Sequence, residues 1–376
     1  MPFSRNCDSV KIIQYLHTTL GGHRRYVMEL AEALQALEDV VVITAHGAPE
    51  SRIVRQLDVL KAPDLSKLGA RRILDRIWVY LSQPRAFKRA ALAELECAGT
   101  DVCHFQELPS LFPSRIVRAA RRAGYRTVIT VHNVSPHETS GLVSMLMQSA
   151  RIRAWRSADL LIVHSSNLAE ELVRTARVSP GKISVVRHPI WNAGRLLRVE
   201  RPSGYLFFGH LREAKGLPLF IEALALLGNP RASIVGSGSD QVVDAVRVQL
   251  AALQLTNCTF TPGFAVDADV PQIFSQHLVL VAPYLHFQAQ SGVTHLAAAH
   301  GLATVVTAVG GLPDLVREYG IGEIASPEPA SLATAMRQAH DKASRGEYSS
   351  GFARSRLELA PGAVARQLVD TYRRGQ

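Results

Sequence analysis

The sequence predicts an α/β protein built from two doubly wound parallel sheets. Short runs of β-branched and apolar residues alternate with amphipathic stretches of helical period, as in parallel strands covered by helices on both faces. The alternation stops over residues 188–204 and then restarts. A chain of 376 residues with 47% hydrophobic residues has enough apolar material for two cores. These observations together predict two Rossmann-like domains in tandem.

The first half of the chain carries six strand-like runs. Each is nearly continuous in apolar character, which predicts a strand buried on both faces. The predicted strands are Lys11–Leu16, Val40–Thr44, Val102–Phe105, Thr127–Val131, Leu160–Val163 and Ile183–Val186. The helical patterns between them include Arg24–Leu37, Arg115–Ala123 and Asn167–Arg177. We therefore expect a first domain over residues 1–190.

A second domain is predicted after a linker. Residues 188–204 contain two prolines, two glycines and no sustained period, which is typical of a connecting segment. The strands predicted beyond it are Tyr205–Phe208, Ala232–Val235, Cys258–Thr261, Leu278–Ala282 and Thr304–Thr307, with helices over Leu217–Leu227, Asp240–Leu253 and Gly292–His300. We expect this domain to cover residues 191–358. Because such sheets bind ligands at the carboxyl ends of their strands, we also expect a ligand cleft between the two domains.

Positive charge is concentrated in the first half. The formal net charge is +10, and residues 1–190 carry 26 lysines and arginines against 17 acidic residues. This asymmetry favours contact with a polyanion, either an anionic membrane or nucleic acid, and the alternative is a merely soluble basic surface. Residues 71–96 add a basic amphipathic pattern. That pattern is typical of a helix on a membrane surface, or of a helix packed on its own domain.

The cellular compartment, and the presence of a zinc site or of disulfides, are predicted from sequence features that are missing. The first nine residues hold no apolar run, and no stretch approaches the ~18 apolar residues that span a bilayer. We therefore expect a cytoplasmic protein. Its four cysteines form no CxxC pair, so neither a zinc site nor a disulfide framework is expected.

Three loops between a strand and a helix are candidates for binding phosphate. Gly21-Gly22 follows the first strand, and paired glycines let backbone amides approach a phosphate at a helix N-terminus. Arg212 and Lys215 follow the first strand of the second domain, and such a pair can hold a diphosphate. Residues 290–293 open a later helix with a hydroxyl and free amides. An ordinary helix cap is the alternative for each loop taken singly.

In these and other segments the sequence resembles the retaining GT-B glycosyltransferases of glycosyltransferase family four, in the branch with a Gln-Ser-Gly-Val phosphate loop. The similarity runs nearly end to end, in the right order and at the right spacing. The segments that carry it are Gly21-Gly22, Thr130–Glu138 (TVHNVSPHE), Arg156–Ser165 (RSADLLIVHS), His188-Pro189, Phe208–Gly216 (FGHLREAKG), Gln290–Gly292, Ala299–Gly301 and Val309–Asp314.

The resemblance implies roles for individual residues. His132 would lie beside the anomeric carbon, and Arg212 and Lys215 would hold the donor diphosphate. The remaining donor-binding positions are the two glycines of the first loop, one residue of the loop that carries Arg212 and Lys215 (the cation loop), and residues 290–293 (the phosphate turn). They are Gly21, Gly22, His210, Gln290, Ser291, Gly292 and Val293. His137 and Glu138 would shape the acceptor side, or would be a solvated loop. The last helix, Pro361–Arg373 within residues 359–376, would cross back onto the first domain.

The sequence departs from the family pattern at two places. Many members carry two glutamates eight positions apart, and those positions hold Gln288 and Leu296 here. The Ser-Gly-Val branch also lacks this pair, so its absence does not imply an inactive enzyme. It does leave recognition of the ribose and the sugar hydroxyls unassigned. An arginine that commonly follows the glycine of the cation loop is His210 in this chain, so Arg212 would serve instead.

The function implied is transfer of a sugar, with retention, from a nucleoside diphosphate sugar to a glycan or lipid-linked acceptor of a cell-surface polysaccharide. No metal or other cofactor is expected, and an inner membrane surface is a possible partner. A nucleotide-sugar epimerase of the same fold is the alternative among enzymes, although the missing carboxylates disfavour it. The alternative of another class is a nucleic-acid-binding protein using Arg115, Arg118, Arg121, Arg122 and Arg126, which lack interleaved aromatic residues apart from Tyr125.

Overall fold

The computed structural model describes residues 10–16, 22–44, 54–56, 84–94, 101–109, 113–134, 142–190, 202–286 and 291–374. The chain divides into two compact units, one formed by Met1–Arg187 with Pro361–Gln376 and the other by His188–Ala360. Each unit contains one sheet, and every described pair of neighbouring strands is parallel. The predicted fold class, two doubly wound α/β domains, is confirmed.

The sheet of the first unit has seven strands among the described residues. They are β1 (Lys11–Leu16), β2 (Asp39–Thr44), β3 (Val54–Gln56), β4 (Val102–Phe105), β5 (Arg126–Thr130), β6 (Leu160–Val163) and β7 (Ile183–Val185). Their order across the sheet is β3-β2-β1-β4-β5-β6-β7. The direction of winding reverses between β1 and β4, and ligands of such sheets bind beside the carboxyl ends of the strands at this reversal.

Helices cover both faces of this sheet. They are α1 (Gly22–Gln35), α2 (residues 84–94), α3 (Pro113–Ala123), α4 (Leu142–Ser157) and α5 (Ser166–Ala176). Phe87 of α2, Phe105 of β4 and Trp155 of α4 are buried in one apolar cluster with the central strands. Because strand side chains alternate between two covered faces, the strands read as continuous apolar runs in the sequence.

The sheet of the second unit has six described strands in the corresponding order. They are β8 (Tyr205–Phe208), β9 (Ala232–Gly236), β10 (Cys258–Pro262), β11 (Val279–Ala282), β12 (Ala303–Thr307) and β13 (Gly322–Ala325). The order β10-β9-β8-β11-β12-β13 places the reversal between β8 and β11. The loops after these two strands are therefore the first place to look for a ligand site.

The helices of the second unit are α6 (Leu217–Leu226), α7 (Asp240–Ala252), α8 (Val270–Ser275), α9 (Gly292–His300), α10 (Leu312–Tyr319), α11 (Pro329–Ser344) and α12 (Ser349–Glu358). Two glycines allow the loops at the carboxyl edge to approach one another. A Cβ atom on Gly216 would lie 1.9 Å from the Pro283 carbonyl oxygen, and one on Gly236 would lie 1.7 Å from the Gly209 carbonyl oxygen. No side chain fits at either position, so glycine is what permits this packing.

The last helix, α13 (Pro361–Arg373), is part of the first unit although it follows the second in sequence. It packs against α1 and buries Leu368 and Tyr372. The Arg373 guanidinium lies 2.5 Å from a carboxylate oxygen of Glu38, which is itself almost fully buried. The C-terminal segment is thus fastened to the first unit by apolar and ionic contacts.

Two strands and part of the basic segment differ from the sequence prediction. β3 and β13 were not predicted, because neither is an apolar run. β3 reads Val-Arg-Gln, and β13 begins with a glycine. Within residues 71–96, the described helix α2 buries Ala86 and Phe87 in the core and exposes Arg85 and Arg89. That part of the segment therefore packs on its own unit, and residues 71–83 lie outside the described residues. None of the described helices combines the length and apolar character needed to cross a bilayer.

Candidate functional site

The cation loop of the second unit begins where β8 ends. The Gly209 N–H donates to the Val235 carbonyl at 3.0 Å, and the Leu211 N–H donates to the Ser237 carbonyl at 2.7 Å. These bonds extend the pairing with β9 beyond the strand, while Leu211 is buried and Arg212 is exposed. No hydrogen bond or ion pair joins the Arg212 guanidinium to another residue in the described part of the chain, so this group is available to an anion.

Lys215 is positioned by an aromatic ring that the sequence analysis did not single out. Its Nζ atom lies 3.6 Å from the centroid of the Tyr284 ring, which is a cation–π distance. Lys215 ends a single 3₁₀ turn, and the Ala214 carbonyl of that turn accepts a hydrogen bond from the Leu285 N–H at 2.9 Å. The loops after β8 and β11 are thereby joined on both sides of Tyr284.

Tyr284 also connects the cation loop to the phosphate turn. Its hydroxyl lies 3.0 Å from the Ser291 Oγ, and both side chains are buried. Ser291 is the N-cap of α9, but its hydroxyl bonds to Tyr284 and does not cap the helix. Its carbonyl accepts from the Thr294 hydroxyl at 2.7 Å and is 3.1 Å from the His295 Nδ1. Lys215, Tyr284 and Ser291 thus form one connected group at the carboxyl edge of the second sheet.

The charges around this group act on His210. Its Nδ1 is 3.3 Å from the Ser237 Oγ. Desolvation, followed by the positive charges of Arg212 and Lys215, lowers the pKa of His210 below its usual range. Both cations therefore act at the same place. An anion bound there would meet two permanent positive charges and the N-terminus of α9, whose dipole also favours negative charge.

The edge of the first sheet has a different chemistry. His132 follows β5 and is half-buried, and its ring centroid is 5.2 Å from that of His164, which follows the neighbouring strand β6. Tyr26 of α1 packs edge-on against both imidazoles, at 5.9 Å from His132 and 6.1 Å from His164. The His164 Nδ1 is 2.9 Å from the Val186 carbonyl oxygen, which fixes the orientation of that ring.

This cluster places His132 near the N-terminus of α1. The helix begins at Gly22, and Tyr26 lies one turn further on, a rise of about 6 Å. Burial raises the pKa of Tyr26 far above its usual range, so it stays a neutral phenol. The edge of the first sheet therefore presents aromatic and imidazole groups, whereas that of the second presents cations.

A network of buried polar side chains lies next to the carboxyl edge of the first sheet. His104 of β4 has its Nδ1 2.6 Å from the Tyr372 hydroxyl and its Nε2 2.7 Å from the Thr130 hydroxyl. The Gln106 amide donates to the Gln14 side-chain oxygen at 2.7 Å. Burial, with a smaller contribution from His164, lowers the pKa of His104 to about 3. The network joins α13 to Thr130, two residues before His132.

Several predicted site residues lie outside the described residues, namely Gly21, His137, Glu138, Gln288 and Gln290. Of the others, Arg212, Lys215, His210, Ser291, Gly292 and Val293 belong to the second unit, and Gly22 and His132 belong to the first. Leu296 packs in an apolar cluster with Leu206 and Phe274, so no polar group replaces a glutamate at that position.

Tyr284, His164 and Tyr26 were missed by the sequence analysis. Tyr284 and His164 each follow a predicted strand, and this position at the carboxyl end of a strand is the signal that could have identified them. Tyr26 carries no such signal, because it lies inside a helix whose other apolar residues face the core.

Two family models match the chain in succession. The model described as Glycosyltransferase Family 4 matches residues 20–190, and the model described as Glycosyl transferases group 1 matches residues 202–342. Among curated proteins, spore coat protein SA of Bacillus subtilis (strain 168) is 24% identical over 330 residues, which cover 80% of this chain and 85% of that protein.

Solved structures share the fold over almost the whole chain. Sucrose-phosphate synthase from Thermosynechococcus elongatus matches with a TM-score of 0.75 and 18% identity, covering 97% of this chain and 98% of that one. HepE from Anabaena, in complex with UDP, matches with a TM-score of 0.74 and 16% identity, covering 96% and 99%. These similarities show a two-domain GT-B fold.

Proposed function

Because the chain is a GT-B glycosyltransferase with a family 4-like domain followed by a group 1 domain, we propose that it uses a nucleoside diphosphate sugar as donor. The sugar passes, with retention of configuration, to a glycan or lipid-linked acceptor of a cell-surface polysaccharide. The observation that carries the proposal is the group formed by Arg212, Lys215, Tyr284 and Ser291 beside the strand reversal of the second sheet.

This group suits a diphosphate leaving group. When the bond between the anomeric carbon and the phosphate oxygen breaks, negative charge accumulates on the diphosphate. Arg212 can bind two of its oxygens at once, and Lys215 supplies a second charge that the Tyr284 ring holds in place. Cations fixed in this way stabilise the transition state because they need little reorganisation as the charge develops.

The residues of the first unit fit a positioning role. In the proposed front-face reaction, the acceptor hydroxyl attacks the anomeric carbon on the side from which the diphosphate leaves. The acceptor proton passes to a leaving phosphate oxygen, so no protein base is required. His132, held between Tyr26 and His164, would orient groups beside the anomeric carbon.

The partners of the reaction are proposals of the same kind. Solved neighbours hold UDP and UDP-glucose, which supports a nucleotide-sugar donor. A further neighbour, WaaG, is a glycosyltransferase involved in lipopolysaccharide biosynthesis, which supports a cell-surface product. We place the reaction on the cytoplasmic side of the plasma membrane, and we propose that Arg212 and Lys215 supply the charge for which other transferases use a metal ion.

A panel of nucleoside diphosphates and nucleotide sugars tests the proposal. In thermal unfolding with EDTA present, the true donor at 100 times its dissociation constant should stabilise the protein by about 2.7 kcal/mol. The proton coupling of the new glycosidic bond, measured by NMR, should show the anomeric configuration of the donor. Absence of stabilisation by every nucleoside diphosphate would contradict the donor proposal, and an inverted product would contradict retention.

A further inference from the structure

The outer surface of α3 and α4 is strongly basic. Neither helix contains an aspartate or a glutamate. Six of their arginines are exposed, namely Arg115, Arg118, Arg121, Arg122, Arg153 and Arg156. The two helices lie side by side, since the Arg121 guanidinium donates to the Ser157 carbonyl at 3.0 Å. We call the exposed surface of these helices the α3–α4 face.

Some of these arginines have structural contacts and others do not. Arg121 also lies 3.7 Å from Asp159, and Arg156 donates to the Ala176 carbonyl at 2.8 Å. In the part of the chain that the structure describes, no hydrogen bond or ion pair joins the guanidinium of Arg122 or of Arg153 to another residue. Packing within the unit therefore accounts for Arg121 and Arg156 but not for Arg122 and Arg153.

The same face exposes two neighbouring apolar side chains. Met145 is 68% exposed and Leu146 is 58% exposed, near the beginning of α4. At 100° per residue, these two residues, Arg153 and Arg156 fall within an arc of about 100°, over a length of about 16 Å. One side of α4 thus carries an apolar end followed by a basic stretch.

We propose that the α3–α4 face docks on an anionic phospholipid bilayer. Its arginines would contact the headgroups, while Met145 and Leu146 would enter the boundary with the acyl chains. Charge complementarity favours an anionic surface, and the exposed apolar end favours a bilayer over a nucleic acid. The nearby aromatic residues Trp155 and Tyr125 are buried, so they offer no stacking surface to bases. Arg126 does not belong to the face, because it is half-buried and donates to the Tyr372 carbonyl.

The apolar end of the α3–α4 face is joined to the candidate site of the first unit. Gln148, within one turn of Met145 and Leu146, donates through its side-chain amide to the Val134 carbonyl at 2.5 Å. Val134 lies two residues after His132. Docking would therefore bring the loop that carries His132 towards the bilayer, where a lipid-linked acceptor would be found. This last step rests on the proposed function, whereas docking itself does not.

Flotation with vesicles tests the docking. The 376-residue chain should bind vesicles of equimolar phosphatidylglycerol and phosphatidylcholine at low ionic strength. It should be released as salt rises, and it should not bind phosphatidylcholine alone. Arg122→Gln with Arg153→Gln should weaken binding about 25-fold, at about fivefold per arginine. Met145→Ser with Leu146→Ser should weaken it about tenfold. The thermal midpoint and the far-UV circular dichroism of each variant should equal those of the wild type, which shows that the fold remains intact.

Matched variants of the second unit serve as controls. Arg247→Gln with Arg337→Gln removes two exposed cations, and Val248→Ser with Leu226→Ser removes two exposed apolar side chains. Neither pair should change vesicle binding. Wild-type protein that ignores anionic vesicles, or control pairs as weakened as the α3–α4 variants, would overturn the proposal. So would duplex or single-stranded DNA binding that depends on Arg122 and Arg153 while vesicle binding does not.

Discussion

The two sheets have corresponding strand orders, but the side chains at their carboxyl edges differ in charge. In the first unit, His132 and His164 follow neighbouring strands and pack against the neutral phenol of Tyr26. In the second unit, Arg212 and Lys215 follow β8, and their charges add to desolvation in lowering the pKa of His210. The same topology thus supports an edge of imidazoles and an edge of permanent cations.

The loops after the strands, and not the sheets themselves, determine which chemical groups each edge can bind. The central strands of both sheets are buried among apolar side chains, so the charged groups of the second edge come from its loops. The second edge is made cationic by two residues in one short turn and is fixed by the ring of Tyr284. The proposed division of labour, with leaving-group stabilisation in one unit and positioning in the other, follows from this difference.

The largest effect is expected at the cationic edge. Lys215→Met keeps an apolar stem over the Tyr284 ring and removes the charge, so turnover should fall by about two to three orders of magnitude. Steady-state kinetics with the donor identified by the binding panel measures this. The thermal midpoint without ligand should hardly move, because methionine keeps the apolar contact with the Tyr284 ring.

Lys342→Met is the matched control for that variant. It removes a lysine of α11 that forms an ion pair with Glu323, and its turnover should match that of the wild type. Equal turnover in wild type and Lys215→Met would mean that the two edges do not divide the chemistry as proposed.

A smaller effect is expected at the imidazole edge. His132→Ala should lower turnover on the order of a hundredfold, which is the scale of a misplaced reacting group. Donor affinity, measured by calorimetric titration, should fall only a few fold, because the diphosphate is held by the other unit in this account. His340→Ala, in α11, is the control and should leave both quantities unchanged. A loss of donor affinity as large as the loss of turnover would assign His132 to donor binding.

The smallest effect concerns stability and the network behind the first edge. The pKa of His104 is about 3 in the folded protein and about 6.5 when exposed. Between these values the unfolded chain binds a proton that the folded state does not bind, so the free energy of unfolding falls as the pH drops below 6.5. At pH 5 the contribution of His104 should be about 2 kcal/mol lower than at pH 8.

Urea unfolding at the two pH values measures this loss, and NMR of the His104 ring identifies its source. The ring should remain neutral from pH 8 to pH 5 in the folded protein. A ring that titrates near pH 6.5 would show that His104 is not held neutral by burial and by its bonds to Tyr372 and Thr130.

Local sequence patterns predicted most of the fold, because buried parallel strands are apolar runs bounded by turn residues. They failed at β3 and β13, which are short and lack such runs. They located His132, Arg212 and Lys215 at strand ends, where chemistry is expected in such sheets. They gave no signal for Tyr26, which lies inside a helix. They placed Tyr284 just after a strand but could not show its role, because that role depends on a contact with Lys215, which is distant in sequence.

Calorimetric titration shows whether Arg212 and Lys215 bind the donor diphosphate. The nucleoside diphosphate that stabilises the protein most is compared with the same nucleoside lacking phosphates, in the wild type and in Arg212→Gln with Lys215→Met. We expect the double variant to bind the diphosphate about 100-fold more weakly, at about 1.5 kcal/mol or more for each charged hydrogen bond lost. Nucleoside affinity should stay within about twofold, because neither cation contacts the base or ribose in this account. Unchanged affinity of the double variant for the diphosphate would contradict the account.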